Sequence, residues 1–295
     1  MHSNKPLTPK WWHHNTQSWE EICKLFPLEQ LLNQASWQKL ELGLSNDNYK
    51  ITIGDLSKQS SQQSEKKSND YFVQVISHKN RILLPKKNHP KNLIQLTHCE
   101  NLKTWLVKCL LNSPSIRIFD WFEPSDLNSQ IKLTDKKYLD EFIDFLSRLH
   151  QNKITTNSPR LFTTLNIQQH LTDYKIVALK KSPDSKNIIN TIFENANKLK
   201  TDFKADTLCH NDLSPSNLLW GHQNELKVID WEYVCYSDLT MELAGIIINY
   251  QLNEQQELLL ISHYEQQNNI EISSKKLQSM KSLYHYLTRL WQLCL

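Results

Sequence analysis

Alternating hydrophobic and polar positions in the first third of the chain predict β-strands. Apolar side chains alternate with polar ones over residues 48–53, which is the period of a half-buried strand. Residues 37–42 and 71–76 are predicted to form two further strands. The polar, low-complexity segment 55–70 has no apolar periodicity and predicts a solvated connection between strands.

Helical signals precede and follow these strands. The run from Ser18 to Glu21 is typical of a capping box that opens a short helix, which Pro27 ends. Another helix is predicted over residues 90–102, followed by a hairpin formed by segments 104–111 and 116–122. In the alternative interpretation, the helix continues through the first of these two segments.

The pattern changes after residue 122. Apolar residues recur at helical spacing from Tyr138 to Leu149, and a strand is predicted over residues 226–229. The fold class is therefore α+β, with a β-rich N-terminal lobe (1–122) and a mainly helical C-terminal lobe (123–295). Further helices are predicted over 165–180, 186–200 and 240–295.

Composition narrows the possible functions. The 295 residues are 39% hydrophobic and 22% charged, with a net charge of +3, which is ordinary for a soluble globular protein. A charge this small gives no support to a nucleic-acid or membrane partner. Because no apolar stretch is long enough for a bilayer span or a secretory signal, we expect a cytoplasmic protein.

Several enzyme classes lack their sequence motifs here. Only four glycines occur, and neither a dinucleotide fingerprint nor a P-loop is present. The nucleophile elbow of hydrolases and the helical motif of zinc peptidases are also missing. The six cysteines are widely spaced, so we expect reduced thiols rather than a disulfide scaffold or a zinc site.

One group of polar residues indicates the chemistry of the protein. His210, Asp212 and Asn217 share a loop, and Asp230 ends the strand of the following hairpin. Phosphoryl transfer needs one carboxylate to accept the proton of the attacking hydroxyl. It also needs oxygen ligands that hold Mg²⁺ against the nucleotide phosphates. The three residues Asp212, Asn217 and Asp230 provide this set.

The same residues resemble the kinase-like small-molecule phosphotransferases, which include aminoglycoside phosphotransferases, choline kinases and thiamine kinases. His210-x-Asp212-x-x-x-x-Asn217 and Ile229-Asp230-Trp-Glu-Tyr carry the resemblance, most of all to bacterial thiamine kinase and choline kinase. The resemblance implies a protein-kinase-like, two-lobed fold that uses ATP and Mg²⁺.

Roles follow from the resemblance residue by residue. Asp212 is expected to be the catalytic base, and His210 is grouped with it as support for the loop. Asn217 and Asp230 are expected to bind Mg²⁺. The run Gly43-Leu-Ser45-Asn46 is similar to the nucleotide-binding turn of these kinases.

The chain departs from the family pattern in its third strand. These kinases carry a Lys or Arg there that binds nucleotide phosphates, whereas the aligned position is Gln74, a residue without charge. This departure keeps a nucleotide- or metabolite-binding pseudokinase as an alternative to an ATP:alcohol phosphotransferase.

The resemblance implies a small, hydroxyl-bearing acceptor. Trp231, Glu232 and Asp238 follow the metal-binding position and are the candidate substrate residues, because aromatic faces and carboxylates bind cations. Thiamine is the preferred cationic substrate. Choline or ethanolamine is the first alternative, and an aminoglycoside is the second.

Overall fold

The computed structural model groups the chain into two compact units. Residues 1–81 and 107–122 form the first, and residues 82–106 and 123–295 form the second. The described residues 91–106, which the sequence analysis placed in the N-terminal lobe, group with the second unit. The residues described are 8–10, 12–40, 46–54, 69–76, 91–125, 133, 135–153, 161–199 and 202–295.

A five-stranded antiparallel sheet, in the order β1-β2-β3-β5-β4, forms the first unit. Val73 and Val75 of one strand and Ile116 and Ile118 of its neighbour are buried on the same face. The predicted strands are confirmed. The first lies two residues before its predicted position, and the second and third each begin two residues earlier than predicted. Their bounds are Ala35–Leu40 (β1), Asn46–Ile53 (β2), Asn69–Ile76 (β3), Cys109–Asn112 (β4) and Ile116–Asp120 (β5).

Two short helices, Thr16–Leu25 (α1) and Leu28–Asn33 (α2), precede the sheet. The side chain of Asn15 caps α1 by accepting a hydrogen bond from the Ser18 N–H. The predicted cap at Ser18 was therefore wrong by three residues. The buried side chains of Trp19 and Ile22 belong to the same apolar core as the strands.

The segment before β4 differs from its prediction. The single helix expected over 90–102 is a short helix, Lys91–Leu96 (α3), followed by a 3₁₀ turn over Glu100–Trp105. The break lets the side chains of Leu96 and Leu102 both be buried in the core of the second unit. The predicted hairpin is confirmed, although its first strand begins at Cys109 rather than at residue 104.

The predicted helices of the second unit are confirmed. Asp135 caps the first of them, whose apolar face is buried. The helices are Lys136–His150 (α4), Ile167–Lys181 (α5), Lys186–Lys198 (α6), Leu239–Asn249 (α7), Glu254–Asn268 (α8) and Ser274–Gln292 (α9). No helix in the described ranges is long and apolar enough to cross a membrane.

Two small antiparallel ribbons hold the polar loops of the second unit. Thr207–Cys209 (β6) pairs with Cys235–Ser237 (β9), and Leu218–Trp220 (β7) pairs with Leu226–Val228 (β8). The loop that contains Asp212 therefore runs from one ribbon to the other. All six cysteines are free thiols.

Replacing Leu146, which is 0% exposed on α4, tests the core assignment. We expect Leu146→Ala to lower the free energy of unfolding by about 2–5 kcal/mol, because it leaves a cavity. Leu258→Ala is the matched control, since Leu258 is 69% exposed, and should change it by about 0.5 kcal/mol or less. If urea denaturation gives the same loss of unfolding free energy for both variants, the assignment of Leu146 to the core is contradicted.

Candidate active site

Asp212 and Asn217 are joined directly within their loop. The Asn217 Nδ2 group donates hydrogen bonds to the Asp212 main-chain oxygen at 2.8 Å and to its Oδ2 at 3.0 Å. A 3₁₀ turn over Pro215–Asn217 brings the amide back toward the carboxylate. Asn217 therefore fixes the direction in which the Asp212 carboxylate points.

The Asp212 carboxyl group has an unusual proton affinity. Burial and the nearby charge of Asp230 raise its pKa to about 7, against the lowering effect of the Asn217 hydrogen bond. A carboxylate with a pKa near neutrality is well matched to accepting a proton from a substrate hydroxyl.

Asp230 follows β8 in the left-handed region, at φ 62° and ψ 54°. The main chain of the preceding residue, Ile229, is hydrogen-bonded through both its oxygen and its N–H. The Ile229 oxygen accepts a hydrogen bond from His210 Nε2 at 2.9 Å, and the Ile229 N–H donates to the Asn217 oxygen at 3.0 Å. The loop of Asp212 and the chain leading to Asp230 are thus connected.

His210 serves this connection rather than the chemistry. Its imidazole is fully buried, and burial lowers its pKa to about 4, so it is neutral at physiological pH. Nε2 donates to Ile229, while Nδ1 accepts from the Asp212 N–H at 3.3 Å. His210 is therefore a positioning residue.

A buried carboxylate that the sequence analysis missed supports the same loop. Glu242 Oε1 accepts the Asn211 N–H at 2.6 Å, and its Oε2 accepts a hydrogen bond from His150 Nε2 at 2.7 Å. The second ring nitrogen of His150 is hydrogen-bonded to the Tyr264 hydroxyl at 2.6 Å. The network connects α4, α7 and α8 to the residue before Asp212.

Asn211 needs this support because its backbone is left-handed, with φ 65°. Its Nδ2 group donates to the main-chain oxygens of Cys209 and Tyr233. Asparagine tolerates this conformation better than most residues. A signal for the network was present in the sequence, since Glu242 is the one charged residue of an otherwise apolar helix and so needs a buried partner.

The three candidate substrate residues have different environments. Trp231 is 4% exposed, its ring lies 4.6 Å from that of His210, and its Nε1 donates to the Val228 oxygen, which makes it a packing residue. Asp238 is buried as the N-cap of α7 and forms an ion pair with Lys276 at 2.7 Å. Glu232 is partly buried, and its charge acts on Tyr174 and Tyr233.

Three tyrosines group around the carboxylates of this unit. Burial, then the charges of Asp212 and Glu232 among others, raises the pKa of Tyr174 and of Tyr233. Burial and Asp212 raise the pKa of Tyr284 to about 12. The Tyr284 ring packs on Gly245, where a Cβ would lie 2.8 Å from its Cε2 atom. Each of the three tyrosines therefore interacts electrostatically with Asp212, and Tyr174 and Tyr233 also interact with Glu232.

The residues proposed for a metal have suitable chemistry. The Asn217 amide nitrogen is turned toward Asp212, which leaves its oxygen available on the other side. The charge of Asp230 opposes ionisation of Asp212, and a cation would relieve that repulsion. Amide and carboxylate oxygens are the donors that Mg²⁺ prefers.

The candidate nucleotide residues belong to the first unit. Gly43 and Ser45 lie outside the described residues, and Asn46 begins β2. Gln74 lies in β3, where its Oε1 accepts a hydrogen bond from Arg117 at 3.1 Å.

Comparison with known proteins identifies the family. The family described as "Phosphotransferase enzyme family" matches residues 36–268. The chain belongs to this family. Among its relatives, protein LicA of Haemophilus influenzae is 26% identical over 183 residues, which are 60% of this chain and 53% of the relative. The LicA homolog of Mycoplasma capricolum is 28% identical, covering 48% of this chain and 57% of the relative. The matched region thus spans about half the length of these relatives.

Solved structures of similar fold confirm the predicted protein-kinase-like α+β fold. The choline kinase LicA from Streptococcus pneumoniae is similar with a TM-score of 0.66 and 20% identity, covering 94% of this chain and 90% of that chain. The aminoglycoside-3'-phosphotransferase of type VIII is similar with a TM-score of 0.63 and 12% identity, covering 93% and 99%. At these identities the likeness establishes the fold.

The raised pKa of Asp212 has a measurable effect on stability. The group loses its proton between pH 5 and pH 8, and in the folded protein that loss is opposed by burial and Asp230. Relative to wild type, Asp212→Asn should therefore gain about 1–3 kcal/mol of unfolding free energy from pH 5 to pH 8. Urea denaturation at both pH values measures this gain. The exposed Asp202 provides the control variant Asp202→Asn, which should show no such gain. If the difference in unfolding free energy between Asp212→Asn and wild type does not change with pH, the raised pKa of Asp212 is contradicted.

The role of Glu242 is tested by Glu242→Gln. The variant keeps the side-chain size but replaces one acceptor oxygen by a donor, so the bond from Asn211 or from His150 is lost. We expect a loss of about 1–3 kcal/mol in unfolding free energy and faster hydrogen exchange at Asn211. Glu271→Gln, at an exposed position, should change neither quantity. Wild-type exchange at Asn211 in Glu242→Gln would refute the proposed support.

Proposed function

We propose that the protein is a small-molecule kinase that transfers the γ-phosphoryl group of ATP to the hydroxyl group of choline. Family membership and the joined pair of Asp212 and Asn217 support the reaction class. The observation that carries the substrate proposal is the grouping of tyrosines with carboxylates in the second unit.

Tyr174, Tyr233 and Tyr284 are the aromatic part of this group, and Glu232 and Asp212 are its charges. A quaternary ammonium ion has no hydrogen-bond donor, so aromatic faces and negative charge are the interactions that recognise it. The arrangement suits a small cation that carries a hydroxyl group. Glu232 is the proposed partner of the positive charge.

Choline replaces thiamine as the preferred substrate. Both are cationic alcohols, so the tyrosines and carboxylates accommodate either charge. The relatives favour choline, since one solved structure of similar fold is a choline kinase named LicA and two sequence relatives carry the same name. Ethanolamine is the next candidate, because an ethanolamine kinase from Plasmodium vivax is also similar in fold.

The mechanism assigns each polar residue one task. Asp212 accepts the proton of the substrate hydroxyl while the substrate oxygen bonds to the transferred phosphorus and the bond from that phosphorus to the departing ADP breaks. Asn217 orients the Asp212 carboxylate through its Nδ2 group. His210 and Glu242 hold the loop, so that the base needs little rearrangement during transfer.

Asn217 and Asp230 are the proposed ligands for Mg²⁺. When bound, the ion neutralises charge on the nucleotide phosphates. The contacts of Ile229 with His210 and Asn217 fix the backbone that carries one of these ligands. The cytoplasm, which supplies ATP, is the proposed location.

A pseudokinase that binds a nucleotide or metabolite is the second candidate. Gln74 favours it, because a neutral amide replaces the phosphate-binding cation at this position of β3. Ligand binding without turnover would support this alternative.

An ATP-consumption assay with Mg²⁺ and a panel of choline, ethanolamine, thiamine and an aminoglycoside tests the proposal. We expect choline-dependent turnover, and Asp212→Asn should reduce kcat by about 10²- to 10⁴-fold. Glu232→Gln should raise KM for choline about tenfold with a smaller effect on kcat, because it removes the charge that faces the ammonium group.

Asp202→Asn is the control and should retain wild-type constants, because its side chain is exposed. Turnover with thiamine alone would reject choline as the substrate. Full activity of Asp212→Asn would reject the assigned base. No turnover with any acceptor, together with a thermal shift by ATP, would favour the pseudokinase.

A further inference from the structure

Gln74 and Arg117 lie side by side on the sheet of the first unit. They are directly opposite each other in the pairing of β3 with β5. Their sequence neighbours Val73, Val75 and Ile116 are buried in the core. Because side chains alternate between the faces of a sheet, Gln74 and Arg117 share the face away from that core.

Among the described residues, the Arg117 guanidinium is hydrogen-bonded to one neutral group. Its Nη1 donates to Gln74 Oε1 at 3.1 Å, while its Nε is buried without a hydrogen-bond partner in the described part of the chain. Within the same part of the chain, Arg117 forms no ion pair with a carboxylate. No carboxylate of the described residues therefore compensates its charge.

Lys50 on β2 provides the contrast. It forms an ion pair with Asp70 at 2.8 Å and lies over the ring of Trp121, 4.3 Å from the centroid. The charge of Lys50 is thus used within the protein. Of these two cations, Arg117 is the one whose charge is available to a ligand.

A guanidinium presents several donors in one plane and matches the oxygens of a phosphate group. We propose that Arg117 binds a phosphate group of the nucleotide and so supplies, from β5, the positive charge that Gln74 does not provide on β3.

Gln74 is then a positioning residue. Its amide oxygen holds the guanidinium without cancelling its charge, which a carboxylate at the same position would do. This inference rests on the proposed function only in taking the anion to be part of a nucleotide. Its test measures nucleotide binding and requires no turnover.

Isothermal titration with ADP and Mg²⁺, and separately with adenosine, tests the assignment. Arg117→Gln should weaken ADP binding by about ten- to a hundredfold, since a charge-assisted hydrogen bond is lost. Adenosine carries no phosphate, so its affinity should stay unchanged. Arg148→Gln is the control, because Arg148 pairs with Asp144 on the surface of α4, and it should bind ADP as wild type does.

A relocation variant makes the test specific. Adding Gln74→Arg to Arg117→Gln returns the charge to β3 and should recover most of the lost ADP affinity. If Arg117→Gln does not fold, Arg117→Lys keeps the charge without the planar group and should weaken ADP binding by a smaller factor.

Two results would overturn the inference. One is an unchanged ADP affinity in Arg117→Gln, and the other is an equal loss for ADP and adenosine, which would indicate a structural effect. Failure of the proposed choline kinase activity is a separate result, because wild-type binding of ADP can be measured whether or not choline is phosphorylated.

Discussion

The candidate active site depends on one buried carboxylate. Glu242 accepts hydrogen bonds from the Asn211 main chain and from His150, so three helices act together on one peptide group. Asn211, whose N–H donates this bond, precedes Asp212 and has a left-handed backbone conformation. Because such a conformation is unfavourable for most residues, the surrounding contacts must hold it, and they also determine where the Asp212 carboxylate lies.

Opposing influences act on Asp212. Burial and Asp230 favour its protonated form, whereas the Asn217 amide favours the ionised form. Their balance leaves a carboxyl group that is neither permanently charged nor too weak to accept a proton. His210, although close in sequence, contributes through its neutral ring, since a charge would be costly in its fully buried position.

Local patterns revealed much of this arrangement in advance. Asp212, Asn217 and Asp230 were found because short ribbons and turns bring nearby sequence positions together. Glu242 was missed as a loop support because its partners come from separate helices, and packing, not spacing, unites them. The break after Leu96 was missed for the same reason, since local propensity does not show which residues the tertiary core buries. The grouping of Tyr174 with Tyr284 also depends on tertiary packing, because these two residues are far apart in the sequence.

The position of Tyr284 on α9 affects how the protein matures during synthesis. Every strand of the five-stranded sheet lies before residue 122, so that sheet can assemble while the ribosome is still translating the helices. The tyrosine group, however, needs α9 to pack on α7 at Gly245. A nascent chain can therefore fold its first unit well before the proposed substrate site is complete, and during that interval the apolar face of α7 is available to chaperones.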